Sequence, residues 1–331
     1  MVKFLNIKDR YSIVPQMKNY DQISYEYKPF VMFFNCSNFK SKIVNTDEIG
    51  FRLNYYNNNF EKISNFFNKE NVTIVIGGSL VFGFGATSDN YTVSSILSKK
   101  TNKAYINFGA TAFNSKQEIL LFLNFFQKFK KIDKVIIVSG ANDLYLNLIN
   151  DDDVWGNFFF KKKYQNIFDT YKNRKNFSYK FNYLINKFKQ QNNKTKIYKI
   201  NFEKLYESYN HTLKLWSTLS KSFNFQIHFF LQPLAIWTKK KLSEDEGKIF
   251  HILDNSNDLA HTMLKETSKI ENYTKFSQLL ENLSREKKIN FTDLNIKLNQ
   301  STNLNKSLFV DRIHMNDLGY NEISNIILDS I

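Results

Sequence analysis

Cysteine is nearly missing from this chain: Cys36 is the single one in 331 residues. That excludes a disulfide framework and a cysteine-based zinc site built within the chain. Long apolar runs are missing too. None reaches the roughly 20 residues needed to cross a bilayer, so no transmembrane segment is expected. The opening stretch, MVKFLNIKDRYSIVPQ, interrupts every apolar run with charge and does not read as a signal peptide. The expectation is a cytoplasmic protein of a reducing compartment. Glycine is scarce at ten residues, and arginine scarcer, with five among the 46 basic residues.

Hydrophobic residues make up 42% of the chain, enough for one large domain with a sizeable core. The net charge is +15, and Lys, Asn, Ile, Phe and Tyr are all abundant. AT-rich coding DNA produces that pattern without any selected partner. The distribution is uneven, however. Residues 154–200 hold twelve lysines and arginines against one acid, Asp169, interleaved with aromatics such as Trp155, Phe168 and Tyr171. Two readings stand side by side: a helical cap with a lysine-rich outer face, or an electrostatic platform for an anionic partner. Acidic polysaccharide, an anionic membrane surface and an acidic acyl carrier all fit the second. No motif for reading a nucleic-acid sequence is present.

Residues 1–70 read as an irregular N-terminal extension, with a loop at 45–54 and a helical tail near 59–69. Residues 71–331 read as one α/β domain carrying the basic aromatic insertion at about 151–200. Within it, short β-branched runs at 72–76, 103–108, 133–139, 225–231 and 289–293 alternate with helical patterns near 91–100, 115–130, 201–222, 257–285 and 316–330. Ser115 is the expected cap of the second helix, with Glu118 three residues on. Such alternation signals βαβ units and a parallel sheet, and strands this continuously apolar are buried on both faces. The expected architecture is a three-layer α/β/α sandwich on a five-stranded parallel sheet. Ligands of such sheets bind beyond the carboxyl ends of the strands.

Four of the ten glycines crowd into GGSLVFGFGA (77–86), directly after the first strand. A phosphate cradle, an exposed nucleophile and a plain turn are the competing explanations. The cradle fails: the string lacks the Lys-Ser/Thr ending of a P-loop, and Ser88 stands where a dinucleotide fingerprint needs its third glycine. After the second strand comes Gly109, after the third GAND (140–143), and before the last helix Asp311-Arg312-Ile313-His314. A serine hydroxyl is a poor nucleophile until a base takes its proton. The base, a histidine, needs a carboxylate on its other nitrogen. A turn at the Asp311–His314 spacing brings both side chains to one side. The oxyanion needs donors, which backbone N–H groups of tight turns or the Asn142 amide supply.

These four blocks, GGSL (77–80), NFGA (107–110), GAND (140–143) and VDRIH (310–314), in this order and on this strand rhythm, resemble the SGNH hydrolase superfamily, the GDSL esterases and lipases. The resemblance runs from about residue 72 to the end of the sequence. It implies a flavodoxin-like fold with Ser79 as nucleophile, His314 as general base and Asp311 as its orienter. It further implies an oxyanion hole of the Ser79 and Gly109 N–H groups and the Asn142 amide. No cofactor is expected, and no metal, since the other histidines lack ligand-spaced partners. One position departs: the family usually carries Asp directly before the serine, and here it is Gly78. The wider flavour of the serine and glycine blocks is similar to the polysaccharide-associated branch. The implied activity is cleavage of an acyl ester, with a small-molecule or carbohydrate O-acetyl substrate. A sugar O-acyltransferase using the same residues, and a non-catalytic glycan-binding protein on the same fold, are the alternatives.

Other residues take plainer readings. Asp143 reads as a helix cap. Gly83 and Gly85 read as places of close backbone approach. Arg312 reads as solvated, with reach to an acidic substrate group as the second option. His211, His228, His251 and His261 lack ligand-spaced partners and read as surface or packed residues.

Overall fold

The computed structural model describes residues 5–148, 199–238, 241–256 and 258–331. Almost all of the basic segment at 154–200 lies outside them. The described residues open with a 3₁₀ helix, Ile7–Ser12, followed by a short helix, α1 (Met17–Tyr20), and two antiparallel hairpins, β1 (Tyr25–Lys28) with β2 (Met32–Asn35) and β3 (Asn54–Tyr56) with β4 (Asn59–Glu61). The helical tail expected near 59–69 is not an α-helix: its first residues, Asn59–Glu61, form the return strand of the second hairpin, where Asn57 and Asn58 both take positive φ and turn the chain back, as asparagine tolerates better than most residues. Only a 3₁₀ turn, Ile63–Phe66, follows.

The alternating part comprises β5 (Val72–Gly77), α2 (Ser79–Phe82), α3 (Val93–Thr101), β6 (Tyr105–Gly109), α4 (Ser115–Phe125), β7 (Ile132–Ser139) and α5 (Ala141–Asn147). After the basic segment come α6 (Phe202–Phe223), β8 (Gln226–Leu231), α7 (Ala235–Thr238), α8 (Glu244–Asp254), α9 (Leu259–Thr267), α10 (Ile270–Glu286), β9 (Asn290–Asp293), α11 (Leu294–Asn299) and α12 (Asp317–Ser330). The helix expected over 257–285 is two helices. The chain breaks at Ser268, whose carbonyl takes the Trp237 indole N–H at 3.0 Å, and Lys269 adopts an extended ψ of 137°.

The five expected strands form one parallel sheet in the order β6-β5-β7-β8-β9. This is flavodoxin-like winding, and its switch point lies between β5 and β7. Alternate residues of each strand enter two cores. Ile74, Ile76, Ile106, Phe108, Val135, Ile137 and Phe229 pack with α4, α6 and α10. Val75, Tyr105, Ile136, Val138 and Phe230 face the other way, onto α2, α3, α8, α11 and α12. Helix α6 illustrates the cause: Leu205, Tyr209, Leu213, Trp216 and Leu219 recur at helical spacing and all are buried. Each such side chain taken from water contributes roughly 1.5–3 kcal/mol. Phe33, Phe34, Phe51 and Phe66 from the first 70 residues join the first core, and Met17, Tyr20 and Val44 the second. Among the described residues no helix is long and apolar enough to cross a membrane.

Helix α4 is capped by Asn114 rather than Ser115. The Asn114 side chain accepts from Gln117 N–H at 3.0 Å, in a capping box with Gln117. Glu118 instead points inward and accepts from Ser139 Oγ at 2.6 Å.

Candidate functional site

Register decides what meets at the carboxyl edge. Gly77 of β5 lies opposite Gly109 of β6 and Val138 of β7. Ser79 therefore emerges beside Asn142 at the switch point, on the first turn of α2. As the first residue of that turn, its N–H has no intrahelical acceptor.

The segment Val310–His314 closes on itself, Val310 N–H donating to His314 O at 2.9 Å. Inside this turn Asp311 Oδ1 accepts from the backbone N–H groups of Ile313 (2.9 Å) and His314 (2.8 Å). The other carboxylate oxygen meets His314 Nδ1 at 2.6 Å. That leaves His314 Nε2 facing Ser79 Oγ at 2.7 Å. Ser79 and Asp311 are buried and His314 nearly so. Burial by itself raises the Asp311 pKa, but the His314 imidazole and the two backbone donors outweigh it and hold the carboxyl well below the usual range. It is an anion at neutral pH, which fixes the imidazole tautomer with its proton on Nδ1.

Asn142 stands at the second position of α5, and its Nδ2 donates to Phe113 O at 2.7 Å. The second hydrogen of that amide has no acceptor among the described residues. A Cβ on Gly78 would lie 2.8 Å from Asn142 Nδ2 and 3.3 Å from Phe113 O. The amide and the loop between β6 and α4 thus press directly on the residue before Ser79. Here is a physical reason for glycine at that position: a side chain there would occupy the place of the Asn142 amide.

Gly109 ends β6 opposite Gly77, where the resemblance seeks a backbone donor to the oxyanion. Its N–H is engaged by Asn107 Oδ1 at 2.8 Å. It is glycine because α2 lies on it, a Cβ there falling 2.0 Å from Phe82 N. Along the loop, Ala110 N–H goes to Gly77 O, Thr111 N–H to Asn35 Oδ1, Phe113 N–H to Ala110 O, Asn114 N–H to Gln117 Oε1 and Ser115 N–H to Asp143 Oδ2. Ala112 N–H alone has no partner among the described residues. Ala112 also holds a φ of +62°, a conformation costing a non-glycine residue about 1 kcal/mol or more. Nothing in the residue type singles out Ala112. Only the accounting of the loop's donors does.

Two further expectations change. Asp143 does not cap its own helix; its carboxylate reaches across to Ser115 N–H (3.0 Å) and Oγ (2.6 Å), tying α5 to the start of α4. Arg312 is not solvated. It is buried and pairs with both carboxylate oxygens of Asp254 at 2.8 Å, over the ring of Phe250. His228 lies in the sheet, stacked on Phe230 and 2.9 Å from Thr292 Oγ1. Among the described residues no cluster of His, Cys, Asp and Glu is suited to a metal.

No protein-family model matches the chain, and no curated protein does. Among solved structures it aligns with an acetyl xylan esterase at 10% identity and a TM-score of 0.43, over 78% of this chain and 99% of that one. A member of the lipolytic G-D-S-L family from Veillonella parvula aligns at 11% identity and 0.42, over 79% and 97%. A lipase/acylhydrolase from Enterococcus faecalis aligns at 11% identity and 0.43, over 78% and 94%. Likenesses this distant are too weak to assign an activity to the chain.

Proposed function

We propose that this protein is a serine ester hydrolase of the SGNH type. The observation that carries the reading is the file Asp311–His314–Ser79, with 2.6 and 2.7 Å between successive polar atoms. In the proposed reaction Ser79 Oγ attacks the ester carbonyl carbon and its proton passes to His314 Nε2. Asp311 stabilises the imidazolium so formed. The carbonyl oxygen becomes an oxyanion and accepts from Ser79 N–H, Ala112 N–H and the free hydrogen of the Asn142 amide. Collapse of the tetrahedral species breaks the ester C–O bond, and His314 returns the proton to the departing alcohol. Water then attacks the acyl-Ser79 ester with His314 again taking a proton. The acid leaves and Ser79 is restored.

The substrate class is an acyl ester. An O-acetyl group on a carbohydrate is the first to try, because the serine and glycine blocks resemble the polysaccharide-associated branch. A fluorophosphonate probe tests the enzyme directly: covalent labelling at Ser79, abolished in Ser79→Ala, is expected. Folded wild-type protein that stays unlabelled would favour a binding protein on this fold. With an acetyl ester and a sugar acceptor present together, hydrolysis predicts free acetate as the main product. Accumulation of acetylated sugar would recast the enzyme as a transferase.

A further inference from the structure

The turn that follows the nucleophile, Phe82–Ala86, has every carbonyl bound by a side chain. Phe82 O and Gly83 O accept from Arg52 Nη1 at 3.0 and 2.9 Å. Tyr20 Oη lies 2.7 Å from Gly83 O and 2.8 Å from Ala86 O and shares its single proton between them. Tyr320 Oη reaches Phe84 O at 2.8 Å, and Gln16 Nε2 reaches Gly85 O at 3.0 Å. Three of these four donors come from the first 54 residues, outside the stretch that carries the family resemblance.

Arg52 is the unusual member. Its side chain is fully buried, and an isolated buried charge is very costly. Here it is paired: Nε meets Asp89 Oδ1 at 2.7 Å, Nη2 donates to Ile43 O at 2.9 Å, and Nη1 touches Tyr20 Oη at 3.1 Å. Asp89 is held in turn by Asn45 N–H and Nδ2. The cation sits at the carboxyl end of α2, where unsatisfied carbonyls favour positive charge.

The same turn carries a contact to the base. Phe84 N–H returns to Ser79 O at 3.0 Å, and the Phe84 ring packs on the His314 imidazole with centroids 4.4 Å apart. A Cβ on Gly85 would fall 2.5 Å from Met315 O, so the two backbones are in direct contact. The turn is thus in contact with both members of the Ser79–His314 pair.

We propose that Arg52, with Asp89 and Tyr20, positions the Ser79–His314 pair by clamping the Phe82–Gly83 turn. The inference rests on the hydrolase reading and acts through Ser79 and His314, without contact to substrate. The test uses the full chain and three variants, Arg52→Lys, Arg52→Ala and Tyr20→Phe. It measures the second-order rate of Ser79 phosphonylation by the probe and kcat and KM on p-nitrophenyl acetate. Near-UV circular dichroism checks folding. Tyr20→Phe, which removes one oxygen, is expected to lower kcat and phosphonylation about tenfold, the size of one or two net hydrogen bonds, with KM within about twofold. Arg52→Lys keeps the charge but loses the fork and is expected to lose about 10–100-fold. Guanidinium ion should restore part of the Arg52→Ala loss. Folded variants that label at the wild-type rate, or that lose only in KM, overturn the positioning role and leave the hydrolase reading standing. A wild-type protein inert to the probe removes both. Should the Arg52 variants not fold, Tyr20→Phe alone decides.

Discussion

At the scale of single residues, the chemistry condenses on one short hydrogen bond and on what orients it. Under the proposed mechanism, Ser79→Ala and His314→Ala each lower kcat on an activated acetyl ester by roughly 10⁴-fold or more. Asn142→Ala is expected to cost about 10²–10³-fold, the size of one lost oxyanion donor, with KM little changed. Gly78 yields a sharper outcome. Its added Cβ would stand 2.8 Å from an amide nitrogen already fixed on Phe113 O. Gly78→Ala is therefore expected to displace the Asn142 amide and lower kcat by at least about tenfold while the fold persists. Steady-state kinetics of purified Gly78→Ala decides this, and full activity would mean that the amide donates nothing to the oxyanion. Such a result would also remove the steric account of why this chain carries glycine there.

Between elements, a buried acid ties α4 to β7. Glu118 of α4 bonds Ser139 at the end of β7. Burial first, and then the nearby Asp143, push its pKa well above the ordinary carboxylate range, against the Ser139 hydrogen bond. A raised folded-state pKa means that this group's contribution is full below the unfolded carboxylate pKa of about 4.3 and is lost as pH rises toward the folded value. Glu118→Gln keeps the shape and removes the titration. The variant should therefore gain stability relative to wild type as pH goes from 5 to about 8, read as a growing difference in urea midpoint. A difference that stays flat with pH would show that Glu118 does not titrate on unfolding in that range. His228, in the sheet between β7 and β9, has the opposite sense. Burial, then Lys134, lower its pKa to about 4. The unfolded imidazole binds its proton near pH 6.5, so stability is lost as pH falls from about 6.5 to about 4. Replacement of His228 by Gln should flatten that limb of the wild-type curve by an amount of order 2–3 kcal/mol.

For the whole molecule, the net charge of +15 sets a long-range positive field. If it steers substrates, an anionic acyl ester should be turned over with a higher kcat/KM than a neutral one at low ionic strength. That preference should vanish near 1 M salt, where the screening length is about 3 Å. Paired kinetics across a salt series measures it, and an absent preference would leave the excess lysine to composition alone.

The strand rhythm, the five sheet strands to within a few residues, and the blocks around Ser79, Asn142, Asp311 and His314 were legible in the sequence because they are local. Alternation and helical spacing report burial directly, and a turn over four residues needs no distant partner. What was not legible depends on which segments touch. Gly109 is glycine because α2 lies on it, a reason as invisible in the chain as the single unengaged N–H of Ala112. Arg312 reads as a surface residue from its sequence, and only the packing of α8 brings Asp254 to it. Asp143 binds a helix other than its own. Arg52 lies 27 residues before Ser79 in a stretch without motif, and only packing sets its guanidinium under the nucleophile turn. Side-chain type and strand-end position are written in the chain, so the groups proposed for acyl chemistry can be picked out before any packing is known. Which N–H groups stay free for the proposed oxyanion, and which residues pack around Ser79 and His314, depends on the fold, because hydrogen-bond satisfaction is settled by neighbours in space.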